Sequence, residues 1–333
     1  GVEVLSGTAV LDRVKKNLKS EYKQHADRSR AYFFRFYVRS GSQHEMLEGV
    51  VKAKSAHCLR GMRLMAGKCY GVDADGSEVE TALQSSNIHK VMSLSPMNNG
   101  LDQRNVFSPF AGSVSVDEIV ERCYVHDDVY SEEGRLMHRM TFTEKKTDEV
   151  CGTAYVEAST FRVVRYEGVA TVAMQTVRQK KDGWVYTSPS RLKMIVDYTY
   201  KNGFAEVECA FCEILSENVA VRCHLCAVGE ENVPDETGIL LHGNILEAIR
   251  KMEGKMNIKA YSAIIRRTTA EENIVAGGMQ PEGVYASNAN ERLLSYIRNA
   301  MSFNRAIPQE KVYLHLDNTG YFENETMWFK AYL

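Results

Sequence analysis

The feature that most constrains this chain is a two-residue hydrophobic period that keeps returning. In SRLKMIVDYTY, Leu192, Met194, Val196, Tyr198 and Tyr200 alternate with Arg191, Lys193, Asp197 and Thr199, and only Ile195 breaks the polar row. Successive side chains of a strand point to opposite faces, so this segment buries one face and wets the other. The same period begins at Ala31, where AYFFRFYVR and HEMLEGVVKAK flank SGSQ as a hairpin. It resumes in ERCYVHDDVY, RLMHRMTFTEK, CGTAYVEAS and FRVVRYEGVATVAMQTV, with turn signals such as SEEG and KKDG between strands. Strands at this spacing, joined by short turns, describe an antiparallel meander: a large curved sheet or an open barrel.

Helical periodicity brackets that sheet. Leu11, Val14, Leu18 and Tyr22 predict a first helix, with Thr8 as its N-cap. After about Gly229, Asn244 with Glu247, Thr269 with Glu272, and Asn288 with Glu291 repeat a capping-box spacing ahead of apolar stripes. Ser85 to Ser115, rich in Ser, Asn, Pro and Gly, reads as a loop long enough to be a flexible or functional insertion. The chain closes on EKVYLHL, a turn at DNTG, and ETMWFKAYL. The expected class is α+β, mostly antiparallel β, and 333 residues favour more than one module. The expected divisions are an N-terminal helix plus meander over 1–229, a helical connector over 230–306, and a truncated β domain over 307–333.

Composition narrows the partners. Charges nearly cancel at a formal net charge of -2, which leaves no basic field for nucleic acid. The most basic stretch, RQKKDG at Arg178 to Gly183, ends in the Asp-Gly of a hairpin tip. No apolar run approaches the roughly 20 residues that span a bilayer. The start at Gly1 reads as a processed or engineered end, and the apolar finish MWFKAYL reads as a cut inside a larger protein. Eight cysteines are too sparse for a disulfide scaffold.

Four of them nevertheless spell C-x2-C-x10-C-x2-C, the spacing of a four-thiolate zinc ribbon: Cys209, Cys212, Cys223 and Cys226. The tight knuckle turns of such a ribbon normally use Gly or Pro, and CAFCE and CHLCA have neither. In a strand, residues three apart diverge to opposite faces. A hairpin centred on Glu217-Asn218 explains the same symmetry. It sets Cys209 opposite Cys226, Cys212 opposite Cys223, and Glu213 opposite Arg222 as a cross-strand charge pair. Ala210/Leu225, Cys212/Cys223 and Ile214/Val221 then form one apolar face, and Val207/Val228, Cys209/Cys226 and Phe211/His224 lie on the other. The hairpin reading displaces the zinc reading and leaves the two cysteine rungs as candidate disulfides.

Other candidate chemistry is thin. DADGSE, Asp73 to Glu78, is a fragment of a calcium loop that lacks the third ligand and the distal Glu, so it reads as a turn. His126, Asp127, Asp128, Glu132 and Glu133 could attract a cation but read as a solvated strand end. There is no Gly-rich phosphate loop, H-E-x-x-H or nucleophile elbow. The expectation is a protein without catalytic activity and without a cofactor.

Ile307 to Leu333, IPQEKVYLHLDNTGYFENETMWFKAYL, resembles the opening strands of macroglobulin-type MG domains of large extracytoplasmic Gram-negative proteins, with Asn324 where that pattern carries Gly. YFFRFYVR, CGTAYVEASTFRVVRYEG and YSAIIRRTTAEENIV resemble the region that follows a carboxypeptidase-regulatory-like domain in TonB-linked outer-membrane proteins. G-x-x-Y-V-E-x-x-T-F-R-V-V-R also resembles a central hairpin of LolA-like lipoprotein carriers, whose open barrel wraps around helices. These resemblances imply a non-catalytic binding or assembly module in the periplasm or at the outer-membrane surface, with surface proteins as partners. The alternative they imply is a periplasmic lipid or lipoprotein carrier, which requires an apolar space between sheet and helices. The exposed apolar edge of the final strand further suggests a strand-swapped homodimer.

Overall fold

The computed structural model describes residues 6–24, 28–40, 43–55, 57–71, 88–97, 107–178, 185–201, 203–215, 219–229, 238–252, 258–276, 313–316 and 329–332. The chain divides into two compact units, Gly1–Gln280 and Pro281–Leu333. The first begins with helix α1 (Gly7–Gln24) and strands β1 (Arg28–Ser40), β2 (Gln43–Ser55) and β3 (Leu59–Tyr70). A 3-10 turn over Ile88–Ser93 and helix α2 (Val116–Arg122) come next. Seven strands follow: β4 (Cys123–Glu132), β5 (Arg135–Glu144), β6 (Glu149–Glu157), β7 (Arg162–Arg178), β8 (Val185–Lys201), β9 (Phe204–Leu215) and β10 (Val219–Ala227). The short strand β11 (Ile239–Leu240) and helices α3 (Ile245–Met252), α4 (Lys259–Ser262) and α5 (Thr269–Val275) complete it.

These strands make one 11-stranded antiparallel sheet in the order β11-β3-β2-β1-β10-β9-β8-β7-β6-β5-β4. The chain lays down β1 to β3, crosses to the far edge at β4, and meanders back until β10 pairs with β1. The sheet stays open, with β4 and β11 as its edges. Short turns set the register. Glu132 pairs with Arg135 across Glu133 and Gly134, both at positive φ, as a two-residue hairpin turn requires.

One face of this sheet carries the main core. Tyr32, Phe34, Phe36 and Val38 of β1 point to it, as do Leu192, Met194, Val196 and Tyr198 of β8, Cys212 and Ile214 of β9, and Val221, Cys223 and Leu225 of β10. Val10, Leu11, Val14 and Leu18 of α1 cover it at one end, and Ile245, Leu246, Ile249 and Met252 of α3 cover it at the other. Each such side chain contributes about 1.5–3 kcal/mol by burial. Gly67 makes room for α3, since a Cβ there would lie 2.8 Å from Ile249 Cγ1. A smaller cluster on the opposite face joins Ala31, Phe33, Val50, Met65 and Ala66 to Ile258 and Ile265 beside α4. Strand β1 is therefore buried on both faces.

Several local expectations change. Ser6, not Thr8, caps α1, because Ala9 N–H donates to Ser6 Oγ at 3.3 Å and the helix has begun by Gly7. The α5 capping box is Thr268 with Glu271, one residue earlier than Thr269 with Glu272. Ser115 and Glu118 form a further box that starts α2. The described parts of the stretch expected as an insertion loop reach into the core: Met92, Leu94, Met97, Phe107 and Phe110 are buried against the sheet. Val207 joins the core face rather than the face of Val228, because a bulge opposite Asp197/Tyr198 inserts Glu208 and flips the residue before it.

In the second unit, β12 (Tyr313–Leu316) pairs antiparallel with β13 (Phe329–Tyr332), Tyr313 opposite Tyr332 and Leu316 opposite Phe329. The calcium-like fragment at Asp73 to Glu78, the basic tip after Arg178 and the Asn288 helix lie outside the described residues.

Candidate functional site

The core face is the place where this fold could hold something. Among the described residues, no helix longer than one 3-10 turn covers the sheet between α1 and α3; residues 88–97 and 107–111 do the covering. Phe107 and Phe110 meet Phe142 edge-on at 5.3 and 6.1 Å, and Phe110 meets Tyr166 at 6.2 Å. Tyr166 Oη donates to the Phe107 carbonyl at 3.1 Å, and burial holds its phenol well above the usual range. From α1, Lys15 Nζ donates to the carbonyls of Pro109 at 2.9 Å and Ala111 at 3.0 Å. Burial pulls this ammonium down to about 8 despite the nearby Glu118 carboxylate. Beneath the 3-10 turn, Val91, Met92 and Leu94 face Met194, Val196 and Leu225 around a cavity of about 10 Å³. That is room for no more than about one water.

A polar group sits at the margin of this cover. Glu21 of α1 lies 3.5 Å from His57 Nε2 and 3.6 Å from Arg162 Nε. Ser95 Oγ donates to the His57 carbonyl at 2.6 Å and meets Tyr198 Oη at 2.8 Å. Serine, histidine and glutamate thus come together, but the serine bonds the histidine's backbone rather than its ring. A nucleophile needs its base within hydrogen-bond reach, and that contact is not made here. The group instead ties residue 95 and the start of β3 to the end of α1.

On the opposite face, Glu48 is fully buried and accepts Nε of Arg35 at 2.8 Å, Nε of Arg267 at 2.9 Å and Nη2 of Arg267 at 2.7 Å. Burial would raise this carboxyl, but the bonds from Arg267 and the charge of Arg35 outweigh it and hold it below the usual range. Arg267 lies just ahead of α5, so the cluster pins that helix to β1 and β2.

The cysteine rungs are placed by β9 and β10: Cys209 opposite Cys226, Cys212 opposite Cys223, and Glu213 opposite Arg222, whose Nε donates to Glu213 at 2.6 Å. Cys212 and Cys223 face the core, and Cys226 the other face. All eight cysteines stand as thiols, outside any disulfide. Burial pushes Cys212 up to about 12 and Cys223 well above its ordinary value. Among the described residues no three His, Cys, Asp or Glu side chains gather in a metal-binding group.

The acidic candidates are separated by strand alternation. Asp127 turns inward to His138 Nδ1 at 2.8 Å, whereas Asp128 turns outward to His126 Nε2 at 3.0 Å and Arg139 at 2.9 Å. Sequence reading missed Lys15, Glu48 and the cover over 88–97 and 107–111. The apolar residues at Met92, Leu94, Phe107 and Phe110, set among Ser, Asn and Pro, were the available signal for the cover.

No family model matches the chain, and no curated protein does. Solved structures resemble it distantly. A LolA superfamily protein from Nitrosomonas europaea is 11% identical with a TM-score of 0.26, over 70% of this chain and 96% of that one. A DUF1329 family protein from Desulfovibrio piger is 10% identical with a TM-score of 0.27, over 68% of this chain and 95% of that one. The MucA/MucB complex of Pseudomonas aeruginosa gives 6% identity and a TM-score of 0.17, over 67% of this chain and 94% of that one. By its own strand order this chain is an open antiparallel sheet in an α+β fold.

Proposed function

We propose that this chain is a non-catalytic, extracytoplasmic binding module that takes an apolar chain, acyl or peptide, on the core face of its sheet in place of the cover formed by residues 88–97 and 107–111. The observation that carries this reading is the cover itself. Between α1 and α3 the apolar face is sealed mainly by short segments without α-helix, bearing Met92, Leu94, Met97, Phe107 and Phe110. An incoming apolar chain would bury comparable surface, so exchanging one for the other costs little in hydrophobic free energy. Methionine, unbranched and polarizable, suits a surface that must repack. The carrier reading called for an apolar space between sheet and helices; that space is filled by the chain's own residues, so binding requires their displacement. Titration with 11-(dansylamino)undecanoic acid tests it. A saturable blue-shifted emission, competed by palmitate, is expected; an unsaturable signal or none would refute it.

A second reading, assembly beside MG-type domains of a TonB-linked protein, draws on the pairing of Tyr313–Leu316 with Phe329–Tyr332, which is the hairpin expected of an MG-like start. Sizing by light scattering discriminates a strand-swapped dimer from a monomer.

A further inference from the structure

One corner of the sheet differs from the rest in three independent ways. First, β4 is a terminal strand, so among the described residues no strand pairs with its outer side over Cys123–Glu132. Open edges template the addition of another strand, and proteins blunt them with Pro, bulges, charged side chains or inward-pointing charges. Strand β4 contains no Pro or Lys, and its register with β5 runs unbroken from Cys123↔Glu144 to Glu132↔Arg135; its only such devices are carboxylates, inward-pointing Asp127 with Asp128 and Glu132, which turn away an acidic strand but not a basic one. Second, of the seven exposed large hydrophobic side chains among the described residues, four lie here: Tyr124 and Val129 on β4, Leu136 on β5 and Val150 on β6. Third, residues 117–157 hold eleven Asp and Glu against five Lys and Arg, a net charge of -6 in a chain whose total is -2.

We infer that β4 is a docking edge for an extended, lysine- or arginine-rich segment of another protein, which adds as a further antiparallel or parallel strand. Main-chain hydrogen bonds along β4 supply the affinity of such an addition, and side chains at alternate positions supply the choice. Tyr124 and Val129 offer apolar contact, and exposed Glu121, Glu132 and Glu133 select a basic partner. A second copy of this chain is a poor occupant. Its own β4 would bring a like-charged corner against this one, with Asp127 opposite its own copy or Asp128 opposite its own copy in the two central antiparallel registers, and like charges set directly opposite each other are destabilising.

The test uses the intact chain and two capped heptapeptides, Lys-Val-Lys-Val-Lys-Val-Lys and its Glu-Val counterpart, read by fluorescence anisotropy and by hydrogen exchange. The lysine peptide is expected to saturate, to weaken several-fold on raising salt from about 0.05 to 0.5 M, and to slow exchange in β4 amides at least about tenfold. The Tyr124→Lys/Val129→Lys variant changes only exposed side chains and is expected to lose at least about tenfold in affinity. Equal binding of the glutamate peptide, protection elsewhere than β4, or no saturable binding would overturn the inference. So would concentration-dependent self-association that protects β4 without any peptide.

Discussion

Glu48 stands directly across the β1–β2 ladder from Arg35, and the two share a 2.8 Å bond with both side chains sealed from solvent. Arg267 closes the same carboxylate from the far side of the sequence, 219 residues away. Breaking a buried ion pair by removing one partner costs about 3–5 kcal/mol, because the other charge is left uncompensated. Glu48→Gln is therefore expected to lower the unfolding free energy by about that amount, measured by urea denaturation. It should also free α5, read as faster hydrogen exchange over 269–275. A loss below about 1 kcal/mol would show that the cluster is solvated rather than sealed.

His224 packs edge-on against Phe211 at 4.6 Å, and its imidazole is pulled down to about 4 by burial first, and by the charges of Arg35 and Arg222. A histidine whose folded pKa lies below its unfolded value of about 6.5 binds fewer protons when folded. Stability is then fully present above about pH 6.5 and falls as pH drops toward 4. Glu48 acts with the same sign at lower pH, its depressed carboxyl losing its contribution as it protonates. His224→Gln is expected to flatten the stability curve between pH about 6.5 and 4 by up to about 3 kcal/mol. An unchanged slope would place His224 in solvent.

Gly152 lets Tyr166 lie flat against β6, since a Cβ at that glycine would come 2.2 Å from Tyr166 Oη. That hydroxyl is the donor to Phe107 O. Gly152→Ala is expected to displace the ring, break the bond to the cover and cost about 1–3 kcal/mol as overpacking. Calorimetry should show a lower Tm, and Phe107 to Ala111 amides should exchange faster. An unchanged Tm would mean that the pocket beside β6 has slack.

The cysteine rungs differ in reactivity. Cys212 and Cys223 are buried with raised pKa values, and Cys151 is pushed up to about 12 by burial, with the Cys123 thiol 3.7 Å away adding to it. Because the thiolate is the nucleophile, these three should stay unlabelled by iodoacetamide in the native protein at pH 8, while half-buried Cys226 reacts ahead of them. Peptide mass mapping reads the order; labelling of Cys212 before Cys226 would contradict the placement of the two faces.

Most strands and their pairing were legible because the signal is local. Alternation in SRLKMIVDYTY, the SEEG turn and the mirrored cysteines each carry register in a few residues. What escaped was carried by distant contacts. Met92, Leu94, Phe107 and Phe110 sit in a composition that reads as loop, and only the bare strip of sheet between α1 and α3 draws them in. Glu48 and Arg267 are ordinary surface-type residues until β1, β2 and α5 enclose them. The β1 segment read as an outward-and-inward alternation, yet both faces are covered, because α4 and Ile265 come from far along the chain. His126, Asp127 and Asp128 looked like one cluster because sequence proximity hides the alternation that sends Asp127 to His138 and Asp128 to Arg139.

The most direct measurement of the central claim is hydrogen exchange with and without saturating palmitate, resolved by peptide. If an apolar chain displaces the cover, amides of 88–97 and 107–111 exchange faster in its presence, while β8, β9 and β10 keep or gain protection. Unchanged exchange over both cover segments at saturating palmitate would contradict it.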